Sequence, residues 1–275
     1  MKKAQIKFIY KCFFKKKLYD FLIKKRYGEK NINSLLKNHN IKVNGEVIEN
    51  KFIILKPGAK VEVSLNSEIS DLPFLAEKID VVYEDKYILV VNKPKNLDIE
   101  PTKSNYYDNL ATRVNNYYKE NGIESKIHFV NRLDKLTEGL VILAKNQYIH
   151  NLFSNVKIIK KYQAIVSGKT LKKGTVKIKI VKETNSIKRI VSKEGKKCIT
   201  KYKLVEYDGK NSLVNIRLLT GRTHQIRVSF AHIGHPLIGD PLYSNFKNIK
   251  DFYLKAYYLE FKHPILKKKI TLNAL

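Results

Sequence analysis

One stretch of the chain reads NRLDKLTEGLVILAK, from Asn131 to Lys145. It places a carboxylate, Asp134, two residues after Arg132 and next to Lys135, at the start of an apolar run. A carboxylate kept ionised and oriented by neighbouring cations can serve as a nucleophile or a base. A second stretch, GRTHQIR at 221–227, carries Arg222, His224, Gln225 and Arg227. Only seven of the 54 basic residues are Arg, and three of those seven are Arg132, Arg222 and Arg227. The planar guanidinium fork makes bidentate contacts that Lys cannot, so this clustering points to defined geometry rather than general charge. A third stretch, KKYQAIV at 160–166, holds Tyr162, whose flat ring can stack on a nucleobase. Read singly, Asp134 is a turn-capping carboxylate paired with Arg132 or Lys135 before it is a catalytic one, and Tyr162, one of 17 tyrosines, a core residue.

The elements around these residues follow from periodicity. LVILA reads as a buried strand fed by the loop that carries Asp134, and YQAIV as another. A helix is predicted from Thr223, with Ile226, Phe230 and Ile233 on its buried stripe and Gly234 as its stop, which puts Arg222 at the helix start. TVKIKIVK at 175–182 alternates as a half-exposed strand should. KYKLVEY and SLVNIRL form a hairpin through Asp208-Gly209. Helices are predicted over 106–120, with Leu110, Val114 and Tyr117 on one face, and around 147–155. Strands outnumber helices, which gives an α+β domain with a mixed, largely antiparallel sheet over 78–275. In front, residues 12–66 form a small unit. Leu18, Phe21 and Leu22 share a helix face among Lys24, Lys25, Arg26 and other cations, a second helix holds Leu35 and Leu36, and IKVNGEVI is a hairpin turning at Asn44-Gly45. Residues 67–77, locally acidic, are expected to be a linker.

The chain of 275 residues is long enough for a large domain plus a small one. Its formal net charge of +29 favours polyanions and salt-sensitive association, and nucleic acid in particular. No apolar run approaches the length that spans a bilayer, and no lipid anchor is recognisable. Cys12 and Cys198, far apart, form no disulfide framework or cysteine zinc site, which suits a reducing cytosol, so the expected location is cytoplasmic. His232 and His235 are spaced like metal ligands but lack acidic or thiol partners, and no metal is expected. No phosphate-binding glycine loop or Gly-x-Ser-x-Gly elbow is present.

HFVNRLDKLTEGLVILAK resembles the catalytic segment of the RluA-type RNA pseudouridine synthases, which reads roughly His-Arg-Leu-Asp, two residues, Thr-Ser-Gly and an apolar strand. LLTGRTHQIRVSFAHIGHPLIGDPLY resembles the family's later segment, DVVYEDKYILVVNKP its opening and KKYQAIVSG its tyrosine segment, in the family's order from 79 to about 263. The front unit resembles the S-four-like RNA-binding module. The resemblance implies a cofactor-free isomerase that detaches uracil from its sugar, turns it over and rejoins it through a ring carbon. It implies Asp134 as the catalytic carboxylate, attacking covalently or removing a sugar proton, Arg222 as its ion-pair partner, and Tyr162 against the base. It further implies Arg132, His224, Gln225 and Arg227 as RNA contacts or supports, with Lys24, Lys25 and Arg26 as RNA contacts of the front unit. Lys93, in NKP, is left open. The partner is RNA, ribosomal ahead of transfer RNA, and the protein is expected to act as a monomer. Asn131 replaces the family's His, and Glu138 its Ser, which adds negative charge expected to lie near the RNA. An inactive RNA-binding or ribosome-assembly protein of the same fold is the alternative.

Overall fold

Two strands with mostly apolar sequences, β8 (Ile88–Lys93) and β10 (Glu138–Ala144), pair antiparallel at the heart of the protein. A computed structural model describes residues 6–245 and 249–274. Both strands are covered on both faces, which is why ILVV and GLVILA read as continuous apolar runs rather than alternating ones. Leu89, Val91, Val141 and Leu143 point into one core, and Ile88, Val90, Leu140, Ile142 and Ala144 into another. The two-residue side-chain period thus splits each strand between two cores.

The strands and helices run in the following order. In the N-terminal unit these are β1 (Lys7–Lys11), β2 (Lys16–Lys17), α1 (Leu18–Lys24), α2 (Glu29–Lys37), β3 (Ile41–Val43), β4 (Glu46–Val47), β5 (Ile54–Leu55) and β6 (Lys60–Ser64). After it come β7 (Asp80–Glu84), β8, α3 (Leu110–Glu120), β9 (His128–Phe129), β10 and α4 (Gln147–Leu152). The chain continues through β11 (Ile159–Ser167), β12 (Lys173–Lys182), β13 (Arg189–Val191), β14 (Lys196–Tyr207), β15 (Asn211–Leu218), α5 (Gln225–His232), β16 (Leu254–Lys262) and β17 (Lys269–Asn273). The large sheet has the order β13-β12-β14-β15-β11-β16-β10-β8-β7, with β17 on β16 and β9 on β10. Every pairing in it is antiparallel except β10 with β16. The expected mixed, largely antiparallel α+β fold is therefore the one observed.

At the parallel crossing of β10 and β16, Gly139 has φ +115°, and a Cβ there would stand 2.3 Å from the Ala256 carbonyl oxygen. Only glycine fits that close approach. Helix α3 starts at Leu110, later than periodicity predicted, because Asn109 caps it: Asn109 Oδ1 accepts from Thr112 N while the Thr112 hydroxyl accepts from Asn109 N. Its buried face carries Leu110, Val114 and Tyr118, while Tyr117 donates to Glu84 instead.

The N-terminal unit begins earlier than the expected residue 12. β1 pairs antiparallel with β6 and extends the sheet β1-β6-β3-β4, so residues 7–11 are built into it. The Asn44-Gly45 turn has φ of 51° and 93°, the left-handed pair that a two-residue hairpin requires. This unit packs on the back of the large sheet through one continuous core, and Tyr27 stacks on Tyr148 of α4 with ring centroids 4.1 Å apart. The expected linker is pinned rather than loose: Glu68 pairs with His128 and accepts from Gln147 N at 3.0 Å, and Asn115 Nδ2 donates to the Leu72 carbonyl at 2.7 Å. Among the described residues no helix is long and apolar enough to cross a membrane.

Candidate active site

Asp134 lies in the turn that enters β10, with Thr137 N donating to its carbonyl at 3.0 Å. Two side chains fasten this turn. Asn131 is buried and behaves like a short length of strand: its Nδ2 donates to Leu140 O at 3.2 Å and its Oδ1 accepts from Ile142 N at 2.8 Å. The replacement of the family's His thus leaves the loop anchored on β10. Lys93, fully buried at the end of β8, donates to the carbonyls of Pro94 and Leu97 at 2.8 Å and of Lys135 at 3.0 Å. Lys135 is the neighbour of Asp134, so the lysine that the sequence left open holds the carboxylate's own turn. Desolvation lowers its pKa to about 8, against the opposing pull of Asp98, Asp134 and Glu138.

The Asp134 side chain is 25 % exposed; its nearest cation is Arg227, with Nη1 at 3.6 Å, and His224 Nε2 lies at 4.0 Å. This corrects the expected partner. Arg222 is exposed and forms no ion pair with a carboxylate among the described residues. The reason lies in where α5 begins: Gln225, not Thr223, is its first residue, so Arg222 belongs to the turn ahead of the helix while Arg227 faces inward from its first turn. Arg227 is 4 % exposed and grips the fully buried Asp240 with both arms of its fork, Nε to Oδ2 and Nη2 to Oδ1, each at 2.7 Å. Asp240 Oδ1 also accepts from Leu242 N and Tyr243 N at 2.9 and 3.2 Å. Desolvation works against the Arg227 charge, but Asp240 and Asp134 outweigh it and raise its pKa.

Gln225 and Arg227 were expected as RNA contacts or supports, and their burial makes them supports. Gln225 knits the turn: Oε1 accepts from the Thr220 hydroxyl at 2.8 Å and Arg222 N at 3.1 Å, and Nε2 donates to Ile199 O and Thr200 Oγ1 at 3.1 Å. His224, at a left-handed φ of 55°, has Nδ1 2.9 Å from the Tyr243 hydroxyl, and that hydroxyl accepts from Arg189 N at 2.7 Å. Burial lowers the His224 pKa, with Asp134 opposing, so the ring facing Asp134 is neutral at pH 7.

Tyr162, on β11, forms the floor beside Asp134. Burial, with the Asp134 charge adding to it, raises the phenol well above its ordinary pKa, so it is protonated at neutral pH. Its hydroxyl has no protein hydrogen-bond partner among the described residues. The cleft holding Asp134, Tyr162, Arg132, Lys160 and Arg222 has a volume of about 540 Å³, and the Asp98–Thr102 segment forms its far wall. That size suits a single nucleotide. At its lip Arg132 pairs with Glu100 and Lys135 with Asp98, both at 3.2 Å. Glu138 lines a different pocket, with Lys78, Arg113 and Lys255, so its charge does not lie on the cleft wall. In the N-terminal unit Lys24 and Arg26 are exposed, while Lys25 is half-buried with its ammonium 4.9 Å from the centre of the Tyr10 ring. Sequence reasoning offered Asp240 as a possible partner of Arg222, not of Arg227, and missed Tyr243 as a support. Both lie in the GDPLY end of the segment that carries Arg222, where a carboxylate following an arginine was the available signal.

A carboxylate, a protonated phenol and a buried guanidinium around a nucleotide-sized cleft, on a mixed sheet beside a basic unit, define the class of the pseudouridine synthases. Residues 87–232 match the RNA pseudouridylate synthase family, and the chain belongs to it: it is an RNA-acting isomerase. It is 31 % identical to the RNA pseudouridine synthase YjbO of Bacillus subtilis over 85 % of this chain and 86 % of that one. It is 34 % identical to the ribosomal large subunit pseudouridine synthase D of Buchnera aphidicola, over 90 % of this chain and 82 % of that one. The fold matches that of human RNA pseudouridylate synthase domain containing 1 with a TM-score of 0.60, at 24 % identity, over 74 % of this chain and 85 % of that one.

Proposed function

We propose that the protein isomerises specific uridines in ribosomal RNA, with Asp134 as the catalytic carboxylate and the target nucleotide everted into the cleft. The placement of Asp134 carries this reading: it lines a nucleotide-sized cleft together with Tyr162 and is balanced by Arg227, and a base has to leave its stack to enter such a cleft. In the reaction the bond from N1 of uracil to C1′ breaks, the base turns, and C5 bonds C1′ while the C5 proton leaves and N1 gains one. An ionised Asp134 serves whether it attacks C1′ or takes a sugar proton. Tyr162 offers a ring for the base to lie against and an unshared hydroxyl as donor. Arg227 acts by holding Asp134, and Lys24, Lys25 and Arg26 contact the RNA outside the cleft. Ribosomal RNA is favoured over transfer RNA because relatives named for the ribosomal large subunit align over most of the chain.

The test is Asp134→Asn, assayed on total RNA from cells that lack the protein. Pseudouridine formation is expected to fall by about 10²–10⁴-fold or more, with RNA affinity within roughly twofold of the parent. Undiminished pseudouridine from this variant would remove Asp134 from the chemistry. Mapping the modified positions assigns ribosomal or transfer RNA. A 2-aminopurine placed beside the target uridine should brighten on binding as the stack opens.

A further inference from the structure

We propose that Lys160, Gly221 and Arg222 form an anion subsite on one wall of the cleft, and that it takes a backbone phosphate of the RNA strand entering beside the target nucleotide. The inference rests on the reading of this cleft as the site of uridine isomerisation. Along β11 successive side chains alternate between faces. Lys160 therefore shares a face with Tyr162 and lines the cleft with it, while Lys161 turns to the other face and lies 4.2 Å from the centre of the Tyr258 ring. Lys160 is only partly exposed, yet its ammonium has neither a carboxylate nor a hydrogen-bond partner among the described residues. Its partial desolvation is registered as a lowered pKa. A cation stripped of part of its hydration and given nothing in return is half of an interaction whose other half arrives with a ligand.

The surroundings say what that ligand is. A Cβ on Gly221 would stand 3.7 Å from Lys160 Nζ, so the bare backbone of the Thr220-Gly221 turn lies against the ammonium. Arg222 follows directly, exposed and without a carboxylate, and lines the same cleft. Neither cation lies within ion-pair distance of Asp134, whose charge is balanced by Arg227. The acids of the opposite wall, Asp98 and Glu100, are already held by Lys135 and Arg132. This wall thus offers two uncompensated cations at the mouth of a nucleotide-sized cleft. A phosphodiester is the anion that an RNA strand brings there.

The experiment uses the full-length protein and a single-stranded nonamer of uridine as probe, with affinity measured over a series of KCl concentrations. Lys160→Gln is expected to weaken binding about 3- to 10-fold at 0.1 M KCl and to make the slope of log affinity against log salt shallower by about 0.7, the value for one phosphate contact on a single strand. Arg222→Gln is expected to act in the same direction, and Lys160→Arg to restore the slope. In a second arm, uridine 3′-monophosphate displaces the nonamer better than uridine does from the parent, and loses that advantage on Lys160→Gln. Because Lys160 has no protein partner to lose, its urea midpoint should not fall, and this separates the effect from misfolding. An unchanged slope together with equal displacement by uridine and its monophosphate overturns the subsite. So does a lowered isomerisation rate at saturating RNA with affinity and slope intact, since Lys160 would then act on the reacting base. Both arms read binding, so they stand apart from the fate of Asp134→Asn.

Discussion

Asp134 shares one guanidinium with Asp240, and that sharing decides how the carboxylate is held. The fork of Arg227 is fully used on Asp240, leaving Nη1 for Asp134 at 3.6 Å. Arg227→Lys keeps the charge but cannot grip Asp240 with two arms and still face Asp134. Its kcat is expected to fall at least tenfold with RNA affinity nearly unchanged, because Arg227 is buried. Asp240→Ala strips a buried cation of its bidentate partner and is expected to cost about 3–5 kcal/mol of stability, read by urea denaturation. Lys93 makes a second residue-scale case. Its pKa is about 8 in the folded protein and near the ordinary lysine value once unfolded. From pH 8 upward the folded chain has released a proton that the unfolded chain still holds, so stability rises with pH in that window. Below pH 8 the penalty of the buried charge is fully present. Lys93→Met should abolish this rise between about pH 8 and 10, short of general tyrosine ionisation. It should also cost about 1–3 kcal/mol at pH 7 through the carbonyls left without a donor.

At the scale of elements, the site depends on how β10 meets β16 and where α5 begins. Gly139 is the point of closest approach, with Ala256 backbone atoms on the side where a Cβ would project and a φ that L-residues avoid. Gly139→Ala is expected to destabilise the protein by roughly 3 kcal/mol or more. It should also displace the Asp134 turn, so thermal denaturation and activity should fall together. The strands themselves were legible: LVILA, YQAIV and TVKIKIVK fall within β10, β11 and β12 because side-chain period is a local property. The Asn44-Gly45 turn was legible for the same reason. The start of α5 was not, because Gln225 closes the preceding turn through Thr200 and Ile199 on β14, contacts remote in sequence. Arg227, in the first turn of α5, stands beside Asp134, while Arg222 lies in the turn ahead of it.

Across the whole molecule, the N-terminal unit and the large sheet share one core, centred where Tyr27 stacks on Tyr148 and where the Tyr148 hydroxyl donates to the Lys25 carbonyl at 2.8 Å. The cationic stretch 24–26 is therefore held in a fixed position on the body that carries the cleft. Tyr148→Ala is expected to cost about 3–5 kcal/mol. It should weaken binding to structured RNA more than to a short single-stranded probe, because only the former spans both surfaces. Equal weakening of the two would mean that the N-terminal unit does not take part in RNA docking. With a net charge of +29, all such binding should decline steeply with salt.

The sequence by itself determined the family, several of the strands, among them those that carry or follow the site residues, and the identity of Asp134 and Tyr162 as cleft residues. These rest on residue types in a fixed order and on periodicities that need no knowledge of what lies across the sheet. Only the tertiary structure decided which cation balances Asp134, that Lys93 and Asn131 hold its turn, and that Lys160 stands unpaired. Ion pairing and desolvation depend on distance and burial between residues far apart in the chain, and spacing along the sequence does not encode either.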